Sequence, residues 1–167
     1  MKRICLVVAD ASRARIYMYE RSQEPDGLHD ELREERDLID PARRKRASEL
    51  FSDSAGANHG GFRGNAFDDH RQAHLDQLDT NFAREITAEL DGLVRERGYR
   101  ELLVIASSRM LGELRATLEP LRRTLAIKEL ERDFTRLATA ELRDRLAKLG
   151  LLPPLPPRPA FRSSVER

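Results

Sequence analysis

The sequence predicts an α/β fold: a single three-layer domain with a mixed central β-sheet and helices packed on it. Two runs, Arg3–Ala9 and Leu102–Ala106, are continuously apolar, as buried strands are. A long amphipathic helix pattern leads into the second run, and a helix followed by a buried strand is typical of α/β proteins. An alternating segment directly after the first run adds an antiparallel hairpin, which makes the sheet mixed.

The N-terminal part of the chain predicts three strands. Asp10–Arg13 has turn residues, whose short polar side chains bond nearby backbone amides. Ala14–Glu20 then alternates between apolar and polar positions, as a strand paired with the first one would. A second turn is marked by Pro25–Gly27. The charged segment Leu28–Ile39 is interpreted as an exposed edge strand, with a helix as the alternative.

Four helices are expected to complete the domain. A short one covers Ala42–Phe51, after Pro41 has broken the chain. The longest runs from Asp68 to Arg97 and ends at Gly98. Its inward stripe steps by three or four residues and consists of Leu75, Leu78, Phe82, Ile86, Leu90 and Leu93. A third helix starts at Ser107 or Ser108 with Met110, Leu111, Leu114 and Leu118 facing inward, a short strand covers Ala126–Leu130, and Thr139 caps a last helix closed by Gly150.

A glycine-rich loop at residues 54–65 is the most distinctive stretch of the chain. Glycine adopts conformations that other residues avoid, so the run of Gly56, Gly60, Gly61 and Gly64 resists regular structure. Basic residues precede this loop, and bare backbone amides beside arginine suit contact with phosphate. From composition alone, a disordered surface connection is the simpler interpretation, and a phosphate-binding loop is the alternative.

The composition describes a highly charged globular chain of 167 residues. Its 30 lysines and arginines nearly balance 29 aspartates and glutamates, so only local clustering can indicate a nucleic-acid partner. The single cysteine, Cys5, excludes an intramolecular disulfide and a multi-cysteine zinc site. Apolar runs are too short for a signal-peptide core or a membrane span, so we expect a cytoplasmic protein without a membrane partner.

The domain is expected to span residues 1–150, and residues 151–167 to form a proline-rich flexible tail. The tail contains Pro153, Pro156 and Arg158 at a spacing that polyproline-binding domains accept. A protein partner for the tail is therefore one interpretation, and a plain unfolded extension is the simpler one.

Three patterns bear on catalysis or metal binding. Four aspartates lie at the ends of predicted elements: Asp10, Asp68, Asp69 and Asp133. Such carboxylates could hold the metal ions of a two-metal nuclease, but turn and cap roles already explain their positions. His70 and His74 have a zinc-binding spacing, with His59 as a third ligand, but both project onto the wet face of their helix. The pair Ser107–Ser108 lacks the glycines of a nucleophile elbow. We predict no catalytic residue, metal or cofactor.

Six motifs in the same order resemble the bacterial family of host attachment proteins over residues 3–150. They are Val8–Tyr17, Glu49–Asp53, Phe82–Ile86, Leu103–Ser107, Leu111–Arg115 and Glu131–Thr135. That family in turn is similar to the middle domain of archaeal and eukaryotic class-1 peptide-release factors. The resemblance implies a ribonuclease-H-like fold.

In those release factors a Gly-Gly-Gln loop ahead of a long helix helps water to cleave peptidyl-tRNA. Here His59–Phe62 occupies the comparable place, and Phe62 stands where the glutamine would be. Since its ring offers no amide to orient water, the resemblance implies binding to the ribosome or tRNA without hydrolysis. The expected RNA contacts are Arg43, Arg44, Lys45, Arg46, His59, Gly60, Gly61, Phe62 and Arg63. The alternative function is a protein-interaction or host-attachment adaptor with no nucleic-acid role. A metal-dependent nuclease is the third candidate function.

Overall fold

The computed structural model describes residues 1–45 and 66–157. The strands are β1 (Lys2–Ala9), β2 (Arg13–Glu24), β3 (Gly27–Ile39), β4 (Glu101–Ala106) and β5 (Ala126–Glu131). The helices are α1, which is described over residues 41–45, α2 (Ala66–Arg97), α3 (Ser108–Thr117) and α4 (Thr139–Lys148). A 3-10 helix, Glu119–Arg123, follows α3. This α/β element order confirms the predicted fold class.

The strands form one mixed sheet of five in the order β3-β2-β1-β4-β5. β1 and β2 make the predicted antiparallel hairpin, in which Leu6 lies opposite Tyr17. β4 is parallel to β1, and β5 is parallel to β4. β3 pairs antiparallel with β2 and lies at the edge of the sheet. The edge-strand interpretation of Leu28–Ile39 is therefore confirmed, and the helix alternative for that segment is wrong.

The sheet separates two apolar cores, so the domain has three layers. On one face, Cys5 and Val7 of β1 pack in a cluster with residues of α2 and α3. On the other face, Leu6 and Val8 pack in a cluster with residues of α4. This split follows from the strand pleat, because successive side chains point to opposite faces. Both faces of β1 are buried, which explains its continuous apolar run.

The apolar stripe predicted for α2 is buried over its C-terminal part. The four residues Phe82, Ile86, Leu90 and Leu93 are 0–3% exposed. Leu75 and Leu78, nearer the start of the helix, are only half-buried. The helix therefore packs on the sheet through its later turns, while its first turns lie beyond the core.

Helix ends were predicted better at the C-terminal side than at the N-terminal side. Gly98 and Gly150 follow α2 and α4 with φ of 67° and 71°, a left-handed conformation that glycine adopts at low cost. Thr139 is the first residue of α4 and not its cap, so that prediction is wrong. The capping position is Ala138, whose backbone N–H donates to the Glu141 carboxylate at 3.0 Å. Ser107 takes the cap position of α3 but makes no side-chain capping bond.

The first residues of the predicted tail are fixed to the domain. Leu152 is 3% exposed within the core on the α4 side. Arg143 of α4 donates two hydrogen bonds of 2.9 Å to Asp30 and one of 2.8 Å to the Pro153 carbonyl. Arg21 donates to the Pro154 carbonyl at 3.0 Å. Residues 158–167 of the tail lie outside the described residues.

Candidate functional site

Four of the five strands, all except β2, have their C-terminal ends on the same side of the sheet. We call this side, where those strands end, the carboxyl edge. β4 and β5 run parallel to β1, and β3 has the same direction because two antiparallel pairings separate it from β1. Backbone hydrogen bonds join neighbouring segments at the strand ends there. The Asp40 N–H donates to the Ser12 carbonyl at 2.9 Å, and the Arg132 N–H donates to the Ala106 carbonyl at 3.0 Å. In open α/β sheets, ligands bind at this edge.

α1 begins at the carboxyl edge with a well-formed cap. The Asp40 side chain is almost buried, and its Oδ1 accepts from the backbone N–H groups of Ala42 at 3.0 Å and Arg43 at 3.2 Å. Pro41 occupies the first helical position, where its missing N–H costs nothing. The short helix predicted over Ala42–Phe51 is thus confirmed as far as residue 45, and its remainder lies outside the described residues.

Asp79 of α2 joins three elements at the base of this edge. Its side chain is fully buried, with Arg43 Nε 3.3 Å from Oδ1 and Arg109 Nε 2.5 Å from Oδ2. Arg109, near the start of α3, also pairs with Asp76 one turn earlier on α2. Burial lowers the pKa of Arg109, but the hydrogen bonds and negative charges of Asp79 and Asp76 together outweigh it, and the pKa lies above its ordinary value. α1, α2 and α3 are therefore held together by one buried carboxylate.

The predicted RNA-binding residues divide into three groups. Arg43 is directed at Asp79, and its side chain is 20% exposed. Arg44 and Lys45 are exposed on α1 at the carboxyl edge. The others, Arg46, His59, Gly60, Gly61, Phe62 and Arg63, lie outside the described residues. The structure thus brings together two exposed basic side chains and one that serves an internal ion pair.

Asp10 and Asp133, the aspartates of the nuclease hypothesis, both contact one hydroxyl. Thr135 Oγ1 lies 3.0 Å from Asp10 Oδ2 and 2.7 Å from Asp133 Oδ1. Asp10 Oδ1 also accepts from the backbone N–H groups of Ser12 and Arg13, each at 2.8 Å. These bonds are the turn-forming role expected of aspartate at such positions. Among the described residues, no group of three His, Cys, Asp or Glu side chains could hold a metal ion.

Two arginines of β2 fix the turns that border Asp10. Arg13 pairs with Asp37 of β3 at 2.7 Å, and the hydrogen bond from Arg13 lowers the pKa of Asp37. Arg15 makes a two-pronged contact with Glu34 and donates to the backbone carbonyls of Thr135 and Leu137 at 3.2 and 2.6 Å. The hydrogen bond to Glu34 raises the pKa of Arg15 above its ordinary value. Both arginines serve the fold.

The first turns of α2 are open to solvent. Side chains 69–74 are all exposed, and from residue 69 onward, where the side chains are described, the first buried one is Asp79. His70 and His74 lie in this exposed stretch, as their projection from the sequence predicts. α2 leads into the start of β4 at the opposite edge, so its own start lies on the side of the carboxyl edge. Residues 46–65, which contain the glycine-rich loop, connect α1 to this exposed helix start.

Sequence reasoning missed Asp79 and Thr135. Asp79 lies four residues after Leu75 and three before Phe82, on the inward stripe of α2. A carboxylate at such a position signals a buried ion pair, because an unpaired buried charge is costly. Thr135 gave no comparable signal, since its role depends on the approach of Asp10 from a distant strand.

The fold and this edge define a class: a compact α/β domain in which a glycine-rich segment joins two helices at the carboxyl edge of the sheet. The sequence model of one family, described as protein required for attachment to host cells, matches residues 5–146. The chain belongs to this family, and the resemblance found in its motifs is confirmed. No curated protein matches the chain. Within residues 1–45 and 66–157, the structure has no helix with the length and apolarity needed to cross a bilayer.

Proposed function

We propose that this protein binds RNA, as a ribosome- or tRNA-associated protein of release-factor-like type that works in the cytoplasm. The glycine-rich loop and the basic residues beside it would make the contact. The family's description as a protein required for attachment to host cells supports a role in attachment. The RNA role rests on the resemblance of the loop and its following helix to the release-factor middle domain, together with the ribonuclease-H-like fold that this resemblance implies.

One observation carries this proposal: the loop is joined to a helix whose first turns are exposed. α2 has 32 residues, its side chains 69–74 are all exposed, and the first buried one among its described side chains is Asp79. The residues from 66 to 78 extend about 20 Å at roughly 1.5 Å per residue. A helix whose side chains 69–74 are open to solvent can present the segment before it to a large partner.

The side chains of the loop favour RNA binding without hydrolysis of peptidyl-tRNA. Phe62 stands in the place of the glutamine that orients water in release factors, and phenylalanine has no hydrogen-bonding group. Arg44 and Lys45 are exposed, carry positive charge and precede the loop in the sequence. Arginine and lysine neutralise phosphates and release counterions, so the affinity for RNA should fall steeply with added salt.

The test is the binding of fluorescently labelled tRNA, followed by anisotropy, between 50 and 200 mM salt. The double variant Arg44→Gln/Lys45→Gln should bind more weakly and lower the slope of log K against log salt by about 2, since each phosphate contact contributes about 1. The matched control is Arg123→Gln/Lys128→Gln, which removes the same two charges from exposed positions around β5. Equal losses in both variants, or no binding at 50 mM salt, would contradict the proposal.

The family description favours a second candidate, an adaptor for attachment that contacts another protein and no nucleic acid. The proline-rich tail is the segment from the sequence that suits such a contact. Because the carbonyls of Pro153 and Pro154 accept hydrogen bonds from the domain, a clean truncation starts after Pro157. Removal of residues 158–167 takes away Arg158 of the polyproline pattern and leaves Pro153 and Pro156 in place. It should leave tRNA binding unchanged if RNA is the ligand, and should weaken partner binding if the tail recruits a protein.

A further inference from the structure

A groove lies between α2 and α3, along the part of α2 that follows its exposed start. Its volume is about 860 Å³, within the range of roughly 300–1,000 Å³ that is common for small-molecule sites. One wall is α2 from Thr80 to Gly98, and the other is formed by α3 with the 3-10 helix after it. The apolar residues Val94, Tyr99, Leu121 and Leu125 line the groove and are 3–6% exposed. The groove therefore offers an apolar floor.

Several polar groups of the groove already have partners. Thr87 of α2 and Thr117 of α3 share a hydrogen bond of 2.7 Å between their hydroxyls. Arg95 pairs with Asp91 at 2.8 Å. These contacts hold the two walls and satisfy part of the polar lining. The other charged residues of the lining are Arg84, Arg100 and Glu113.

Arg84 and Arg100 line the groove, and their side chains are exposed. Neither side chain has a hydrogen bond or ion pair within the part of the chain that the structure describes. By contrast, the Glu113 carboxylate in the same lining accepts from the Thr80 hydroxyl at 3.0 Å. An apolar floor with unpartnered guanidinium groups at its margin matches a ligand with an apolar body and an anionic group.

We propose that this groove binds a small amphipathic anion, with a hydrocarbon or aromatic body on the apolar floor and a carboxylate or phosphate held by Arg84 or Arg100. The two arginines lie near opposite ends of the α2 wall, about 20 Å apart at roughly 1.5 Å per residue, so one anionic group contacts one of them. The chain's own tail does not fit this role. It starts on the α4 face of the sheet, where Pro153 contacts Arg143, and its residues 158–167 include three arginines and one glutamate. A basic segment would be repelled by the two arginines.

The site is independent of the proposed RNA contacts. Arg44 and Lys45 lie on α1, and none of the α1 residues lines the groove. The groove also involves no residue of the Asp79 ion pairs. Loss of tRNA binding and loss of anion binding can therefore be measured separately on the same variants.

The experiment titrates the full chain with dodecanoate and with dodecyl phosphate below their micelle concentrations. Calorimetry gives the affinity, and amide chemical shifts of Thr87, Gly98 and Ala116 report the place of binding. Arg84→Gln/Arg100→Gln should weaken binding at least about tenfold, because hydrogen bonds to charged groups contribute roughly 1.5–3 kcal/mol. The control Arg136→Gln removes an exposed arginine outside the groove and should bind as the wild type does.

A second pair of variants tests the apolar floor. Ala116→Trp places a large ring in the groove and should abolish binding, whereas Ala140→Trp on exposed α4 should not. Dodecanol and inorganic phosphate separate the two halves of the ligand, and each should bind at least about tenfold more weakly than the amphipathic anions. The proposal is overturned if neither anion shifts the three amides, or if dodecanol binds as tightly as dodecanoate. Equal binding by the wild type and Arg84→Gln/Arg100→Gln would also overturn it.

Discussion

Asp79 is the residue on which the base of the carboxyl edge depends. Its carboxylate is fully buried, while the side chains of Arg43 and Arg109 that face it are 20% and 43% exposed. Removal of a buried charge that neutralises two cations leaves those cations without a partner. The arginines can still reach water, which limits the cost.

We expect Asp79→Ala to lower the free energy of unfolding by about 2–3 kcal/mol, less than the roughly 3–5 kcal/mol for breaking a fully buried pair, because both arginines reach water. The matched control is Asp76→Ala, which removes an exposed carboxylate from the same helix and the same Arg109. An exposed pair contributes about 0–1 kcal/mol. Urea unfolding followed by circular dichroism measures both variants. Equal destabilisation by the two would show that burial of Asp79 has no special role.

Asp30 makes the stability of the α4 face depend on pH. Burial by itself raises the pKa of Asp30, but hydrogen bonds from Arg143 and Tyr19 outweigh it, and the pKa lies below its ordinary value. A carboxyl group with a lowered pKa in the folded state stabilises the protein above its unfolded pKa. This contribution is lost as the pH falls through the lower, folded value.

The difference in unfolding free energy between the wild type and Asp30→Asn should therefore be largest at neutral pH and should shrink below about pH 4. Urea unfolding at pH 7, 5 and 3 measures it. Asp26→Asn is the control, because Asp26 is an exposed turn residue between β2 and β3. A difference for Asp30→Asn that stayed constant down to pH 3 would contradict the assigned ion pair.

Cys5 and Tyr17 extend the titration argument to high pH. Burial raises the pKa of the Cys5 thiol to about 12, and burial is also the main reason that the pKa of Tyr17 is raised to about 12. Since thiolate is the reactive form, a thiol reagent at pH 8 should modify Cys5 only after unfolding. Absorbance of released thionitrobenzoate with and without urea measures this. Rapid labelling without urea would show that β1 is accessible in the native state.

At the scale of elements, the two glycines of the α2 region differ in their backbone conformation. Gly98 follows α2 with φ of 67°, whereas Gly92 lies within the helix, and neither would bring an added Cβ within 4 Å of another atom. At Gly98 an added side chain would therefore meet no neighbouring atom, and only the left-handed backbone conformation would make it unfavourable. At Gly92 an added side chain would only reduce the conformational entropy of the unfolded chain.

Gly98→Ala should lower the free energy of unfolding by about 1–2 kcal/mol, because alanine in the left-handed region is strained. Gly92→Ala should raise it by about 0.5–1 kcal/mol, because alanine is the better helix former. The two variants add the same methyl group, so their opposite signs test the backbone assignment. Thermal unfolding of both proteins measures the difference, and a gain in stability for Gly98→Ala would contradict it.

At the scale of the whole molecule, strands and layers followed from local patterns. The hairpin of β1 and β2 was predictable because the turn residues at Asp10–Arg13 separate two strand-like runs. The edge position of β3 followed from its charge, although its register with β2 depends on tertiary pairing and includes a shift at Ile16/Tyr17. The contact of Asp10 with Thr135 joins residues 125 positions apart, and no local pattern predicts it.

The candidate site was predictable only in part. The basic run and the glycine-rich loop stand out in the sequence, and the exposure of Arg44 and Lys45 agrees with a surface role. The commitment of Arg43 to Asp79 could not be read from the run itself, because neighbouring arginines look alike before a partner is placed. The local hint in the sequence is Asp79, an acidic residue on the inward stripe of α2, which indicates that some basic side chain must pair with it.

The most direct test of the RNA role is ribosome co-sedimentation at low salt. The wild type should pellet with ribosomes at 50 mM salt and leave them as the salt is raised. A variant in which residues 54–65 are replaced by a glycine-serine linker of equal length should stay in the supernatant, with unchanged circular dichroism. If that variant pellets as the wild type does, or if the wild type never pellets, the loop is not an RNA-binding element and the account is contradicted.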